Sequence, residues 1–253
     1  MESLPSGARW IARGSGDPVT LVVHGLGATP GEARIPASGL RGTRVVVTLP
    51  GHGDAPDAPT GYWNYGCIAA DVLAVADEVG ATRGVGVSLG SGALTRVAAE
   101  HPTRFERLAL LLPATVDRPR DADAAGTLQR LADAVDAAGS DGGERLRHLI
   151  AAEVPDGAEV GDYVQRRAEA LLRLGEALRE LPEQSVVANT TPLASVATDV
   201  LVVAGTDDPL HPTEIAKATT AAFGRARLEV LPSSAPLLTH RREIRTLLTG
   251  FLG

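Results

Sequence analysis

Short, nearly continuous apolar runs recur along the chain at residues 19–23, 45–49, 85–87, 108–112, 200–203 and 228–231. They are rich in Val and Leu and lack the alternation of a strand with one wet face, so they predict strands buried on both sides. That pattern belongs to a mostly parallel sheet covered by helices. Residues 9–13, ahead of Gly14-Ser15-Gly16-Asp17, predict an edge strand running into a turn.

The strand signal stops between about Asp117 and Ala197. Three helical stripes replace it. Leu128, Leu131 and Val135 share one face, as do Leu146, Leu149 and Ile150. A longer stripe of Val164, Ala168, Leu171, Leu172 and Leu178 opens after Asp162, an expected N-cap. Residues 139–143 and 155–157 read as breaks between them. One strand-to-strand crossover rarely needs this length. The expected division is therefore a core of residues 1–116 and 198–253, with a helical cap of residues 117–197 inserted over the mouth of a site.

A chain of 253 residues suits one α/β domain carrying such an insertion. Hydrophobic residues reach 44%, yet there are only three Phe, three Tyr and two Trp, so the core falls to Val, Leu and Ala. That leaves Tyr62, Trp63 and Tyr65 as candidate pocket residues. The net charge of −7 argues against a nucleic-acid partner. Cys67 stands alone, so no intrachain disulfide can form. The first residues lack the basic start and apolar stretch of a secretory signal, and no segment approaches the length of a membrane span. The expectation is a soluble, cytoplasmic monomer or homodimer that takes a small-molecule substrate without a membrane partner. Histidines at 24, 52, 101, 148, 211 and 240 form no pair at helical ligand spacing, so neither metal nor cofactor is expected.

The chemistry centres on Gly86-Val87-Ser88-Leu89-Gly90, which joins a predicted strand to a helix-forming segment. A Gly-x-Ser-x-Gly turn in that setting holds its serine in a strained conformation with the hydroxyl pushed into a cleft. A dinucleotide fingerprint fails because Leu89 stands where the third glycine would fall. A phosphate loop fails because no Gly-Lys-Ser/Thr follows.

Other motifs fall in a consistent order around it. His24-Gly25-Leu26-Gly27 follows one predicted strand and Pro50-Gly51-His52-Gly53-Asp54 the next. Gly205-Thr206-Asp207-Asp208-Pro209-Leu210-His211-Pro212 follows a late strand. Over nearly its whole length the chain resembles an α/β-hydrolase. The resemblance implies that Ser88 is a nucleophile and that the backbone amides of Leu26 and Leu89 form an oxyanion hole. It also implies that the acid is Asp208, which fits the family spacing from Gly205 to Pro212 better than Asp207 does.

The histidine departs from the family pattern. Ser233-Ser234-Ala235-Pro236 occupies the stretch where the family's base normally falls. His240, slightly later, is the preferred base, and His211 is the alternative. His24 and His52 read as turn histidines bonded to backbone, with His24 and Tyr65 also candidates for the substrate pocket. The expected activity is cofactor-independent carboxylic ester hydrolysis, acting on a small, mostly apolar ester, thioester or lactone through an acyl-Ser88 intermediate. Two alternatives stand beside it. One is a non-hydrolytic biosynthetic enzyme on the same fold, such as an epimerase, cyclase or elimination catalyst. The other is an inactive protein that binds a small molecule or peptide.

Overall fold

A computed structural model describes residues 2–155, 158 and 160–253 of the chain. Its strands are β1 (Glu2–Ser3), β2 (Arg9–Arg13), β3 (Val19–Val23), β4 (Thr43–Thr48), β5 (Arg83–Val87), β6 (Arg107–Leu111), β7 (Asp199–Gly205) and β8 (Ala226–Leu231). They form one sheet in the order β1-β2-β4-β3-β5-β6-β7-β8. The pairings from β4 to β8 are parallel, while β2 is antiparallel to both β1 and β4. Each apolar run of the sequence lies in or overlaps one of these strands.

Burial on both faces explains the runs. On β3, Leu21 and Val23 enter one core, and Val22 between them enters the other. The first core is covered by α1 (Tyr65–Glu78) and α2 (Leu89–Glu100) through Ile68, Val72 and Leu94. The second is closed by α10 (Arg241–Leu252), whose Ile244, Leu248 and Leu252 recur every fourth residue on one face. Each such side chain removed from water contributes about 1.5–3 kcal/mol. Asn64 starts α1 by accepting the Cys67 N–H at 2.8 Å. Across the other end of the sheet, α8 (Thr213–Ala222) links β7 to β8.

Between β6 and β7 the described residues contain helices and turns but no strand. They hold α3 (Ala122–Asp141), α4 (Glu144–Ala152), α5 (Tyr163–Leu171), α6 (Gly175–Glu180) and α7 (Thr191–Ala194). The first stripe lies on α3 and the second on α4. Gly139 and Ser140 continue α3 instead of breaking it, and the turn comes at Gly142 and Gly143, both at positive φ. Of the second expected break, Asp156 and Gly157 lie outside the described residues. The long third stripe is two helices, α5 and α6, and Leu172 between them is exposed. Asp162 precedes α5 without capping it, because its carboxylate pairs with Arg166 one turn on. No described helix is long and apolar enough to cross a membrane.

Candidate active site

The parallel strands deliver β3, β5, β6 and β7 side by side, so the loops that follow them meet at one edge of the sheet. Three non-glycine residues among those described have positive φ: Ser88 (49°), Leu112 (51°) and Asp207 (56°). They follow β5, β6 and β7, and all three line one cavity of about 400 Å³. Backbone strain is thus concentrated where three strands open into the same space.

Ser88 owes its position to its glycines. A side chain at Gly86 would collide with the backbone of Gly90, and one at Gly90 with the backbone of Val23. The turn is pinned by Ser88 N–H to Leu111 O at 2.9 Å and by Gly90 N–H to His24 O at 3.2 Å. Helix α2 then starts at Leu89.

Asp208 and His211 come from the single loop after β7. One oxygen of Asp208, Oδ1, accepts the N–H groups of Leu210 at 2.9 Å and His211 at 3.1 Å. The other, Oδ2, accepts from His211 Nδ1 at 2.8 Å. His211 Nε2 lies 2.8 Å from Ser88 Oγ. With Nδ1–H directed at the carboxylate, Nε2 is the free lone pair facing the hydroxyl. Burial alone would raise the Asp208 carboxyl, but the His211 charge, the ring hydrogen bond and the two N–H donors outweigh it and hold the group below its usual value.

The geometry therefore brings Ser88, Asp208 and His211 together and leaves His240 out. His240 sits where α9 (Pro236–Thr239) meets α10, and its Nδ1 is 2.9 Å from Thr239 Oγ1. It is not among the residues lining the cavity. Ser234 and Ala235 line the wall beside it instead. Asp207 also borders the cavity but does not bond to His211. The signal missed in the sequence is the span Asp208-Pro209-Leu210-His211 itself: a tight turn closes residues three apart onto each other.

His24 and His52 organise the turn opposite Ser88. His24 Nδ1–H donates to Gly25 O at 2.8 Å, and its Nε2 accepts the Leu49 N–H at 3.1 Å. His52 Nδ1–H donates to Pro50 O at 3.0 Å, and its Nε2 accepts the Gly27 N–H at 2.9 Å. Burial lowers His24 to about 4 and drives His52 well below its ordinary value, so both rings are neutral. His24 lines the cavity, but backbone groups occupy both of its nitrogens. With Gly27 N–H held by His52 and Ala28 N–H by Gly25 O, the Leu26 N–H is left without a partner among the described residues, as is the Leu89 N–H. The turn lies directly against Ser88: a Cβ on Gly25 would stand 3.4 Å from the serine Cβ, an ordinary contact.

Tyr65 does not reach the cavity. It is 3% exposed and packs against Gly92, while Tyr62 and Trp63 are equally enclosed. These aromatics fill the core because the chain has few other large residues with which to fill it. Sequence patterns did not connect four charged side chains with the site: Glu32, Arg120, Glu153 and Arg167 all line the cavity. Three of them come from the helical segment, where no local motif marks them.

Residues 20–245 match the model of the alpha/beta hydrolase family. The chain belongs to that family. Solved structures agree on the fold. A hydrolase from Pseudomonas aeruginosa is 21% identical, with 97% of this chain and 94% of that chain covered and a TM-score of 0.76. The carboxylesterase CesB from Bacillus subtilis is 17% identical over 99% of this chain and 89% of its own, with a TM-score of 0.78. An alpha/beta hydrolase from Sphaerobacter thermophilus is 23% identical over the whole of both chains, with a TM-score of 0.69. No curated protein matches the chain in sequence.

Proposed function

We propose that this family member is a serine hydrolase that cleaves small carboxylic esters through an acyl-Ser88 intermediate. The observation that carries the reading is the pair of 2.8 Å contacts that place His211 between Asp208 and Ser88. Carboxylesterase neighbours such as the Bacillus subtilis protein support the same class.

In this reading His211 Nε2 takes the Ser88 proton as Oγ attacks the ester carbonyl carbon. The carbonyl electron pair moves onto oxygen, whose charge meets the N–H groups of Leu26 and Leu89. Collapse breaks the bond to the alcohol, and His211 gives the departing oxygen its proton. Water then attacks the acyl-serine while His211 takes its proton. The second collapse releases the acid and returns the proton to Ser88. Asp208 holds the ring in one tautomer and stabilises the imidazolium formed in each half-reaction. The helical segment 117–197 acts as the cap, with Leu128, Leu131, Leu171 and Leu178 forming an apolar wall for the acyl chain.

The non-hydrolytic reading depended on a pocket without a placed histidine, and the contacts of His211 favour hydrolysis over it. A fluorophosphonate probe and a series of p-nitrophenyl esters test the proposal on purified protein. Stoichiometric labelling of Ser88 with ester turnover is expected, both lost in Ser88→Ala. A folded wild-type protein that neither labels nor turns over any ester would overturn it.

A further inference from the structure

Part of the cavity wall is polar and only half paired. Glu153 follows α4, Tyr163 opens α5, and Arg167 lies four residues later on the same face, so the cap brings the three together. Arg167 donates through Nη1 to Gly27 O at 3.2 Å. Its Nε is 4.0 Å from Glu153 Oε2, too far for a hydrogen bond, and is buried without a partner among the described residues. Neither the Tyr163 hydroxyl nor the Glu153 carboxyl makes a hydrogen bond among those residues. The side chains of Arg167 and Glu153 are 14% and 27% exposed, and Tyr163 is half-buried. Burial pushes the Tyr163 hydroxyl up to about 12 and raises the Glu153 carboxyl. The buried Arg167 Nε is costly without a partner, and the Tyr163 hydroxyl and Glu153 carboxyl beside it are free to bind an occupant of the cavity.

We propose that this corner binds hydroxyl groups on the alcohol portion of the substrate, so that the preferred ester is that of a short polyol. The inference rests on the hydrolase reading and adds a substrate class to it. A hydroxyl both donates and accepts, which matches an acceptor in Glu153, donors in Arg167 and a group of either kind in Tyr163. A carboxylate suits the corner poorly. Glu153 already feels the negative charges of Asp208 and Glu32, which offset the positive influence of Arg167 and His211, so no cation is left over to pair an added carboxylate. An ammonium would in turn meet Arg167. Glu153, Tyr163 and Arg167 line the same cavity as Ser88 and His211, and the alcohol they hold is the one that His211 protonates as it leaves. The leucine wall is left for the acyl chain.

The test compares butyrate esters that differ only in the alcohol: propyl, 2,3-dihydroxypropyl, 2-carboxyethyl and choline. For the wild-type protein kcat/KM is expected to be at least about 10-fold higher for the dihydroxypropyl ester than for the propyl ester, in line with two new hydrogen bonds. In Tyr163→Phe and in Glu153→Gln that ratio is expected to fall by about 5-fold each, read within each variant so that a change in overall activity cancels. Equal rates for propyl and dihydroxypropyl esters, or a preference for the carboxyethyl or choline ester, would overturn this inference while leaving the hydrolase reading intact. No turnover of any ester together with no fluorophosphonate labelling would overturn both.

Discussion

Asp208 and His211 lie three residues apart on one turn, and the Asp208 carboxylate binds both the ring and the backbone N–H of His211. In the proposed mechanism acid and base are therefore not two loops brought into register by the sheet. They are one rigid unit, with Pro209 inside the turn and Pro212 just after it, that must be aimed at Ser88 as a whole. The remaining degrees of freedom belong to the loop, and contacts outside it become part of the aim.

The assignment of the base follows from this. His211→Ala removes the only ring between Asp208 and Ser88, and kcat for a p-nitrophenyl ester is expected to fall by about 10⁴-fold or more. His240→Ala loses a contact with the neighbouring Thr239 and is expected to keep its rate within about 3-fold. Measuring both variants in one assay decides between the two histidines. A large loss in His240→Ala with activity surviving in His211→Ala would reverse the assignment.

Arg120 supplies one of the contacts that aim the loop. Its Nη1 donates to Leu210 O at 2.7 Å from a position where burial lowers its pKa, with Tyr65 and Asp208 opposing the shift. A charge-assisted bond of this kind is worth about 1.5–3 kcal/mol, or roughly 10- to 100-fold in rate if it is lost only when the loop is displaced. Arg120→Met is expected to lower kcat by that range with a smaller change in KM. In Arg120→Ala, which leaves a cavity that fits the ion, added guanidinium should restore part of the rate. Equal loss of kcat and thermal stability without rescue would mark Arg120 as merely structural.

Gly27 ties the Ser88 side of the cavity to the helical segment between β6 and β7. Its φ of 69° lies in the left-handed region, and a Cβ would stand 2.5 Å from Leu171 Cδ2 on α5. Gly27→Ala is expected to destabilise the protein by at least about 1–2 kcal/mol from the backbone conformation alone. The turn that exposes the Leu26 N–H should shift with it. Urea unfolding and the rate of fluorophosphonate labelling are the two readouts, and both should decline. Unchanged labelling in a destabilised variant would separate this turn from catalysis.

How much of this was legible in the sequence depends on the range of the interaction that decides each feature. The strands were legible because Leu21, Val22 and Val23 record burial on two faces within three residues. Ser88 is legible because Gly86 answers to the backbone of the elbow itself and Gly90 to the neighbouring strand at Val23. His240 is preferred in the sequence because the family places its base after the last strand, whereas the contacts between Asp208 and Ser88 belong to His211. The turn from Asp208 to His211 therefore reads first as an acid loop, with His211 only the alternative base. Arg120, Glu153 and Arg167 were not legible at all. Their roles arise from the packing of the helical segment over the sheet edge, and nothing adjacent in sequence distinguishes them from solvated charges. Tyr65 was misjudged for a related reason, since scarcity of aromatics says nothing about which cavity they fill.

The neutral histidines predict how stability depends on pH. His24, 2% exposed, has its pKa lowered by burial from 6.5 to about 4, with its bond to Gly25 O opposing part of the shift. Between those values the unfolded chain binds a proton that the folded protein excludes, so unfolding becomes easier as pH falls. The stability at stake is fully present above about pH 7 and lost progressively towards pH 4. A shift of this size corresponds to about 3 kcal/mol for His24, and His52 acts in the same direction. Asp208, held below its ordinary value, adds to the loss only at still lower pH, once the unfolded carboxyl at 3.8 begins to protonate. The expected outcome is a urea midpoint that is flat above pH 7 and falls steeply between pH 6 and 4. In His24→Gln, whose amide can still donate to Gly25 O and accept from Leu49 N–H, that slope should be shallower. A midpoint that does not move down to pH 4 would mean that these rings are not buried as neutral groups, and the hydrogen bonds that free the Leu26 N–H would lose their basis.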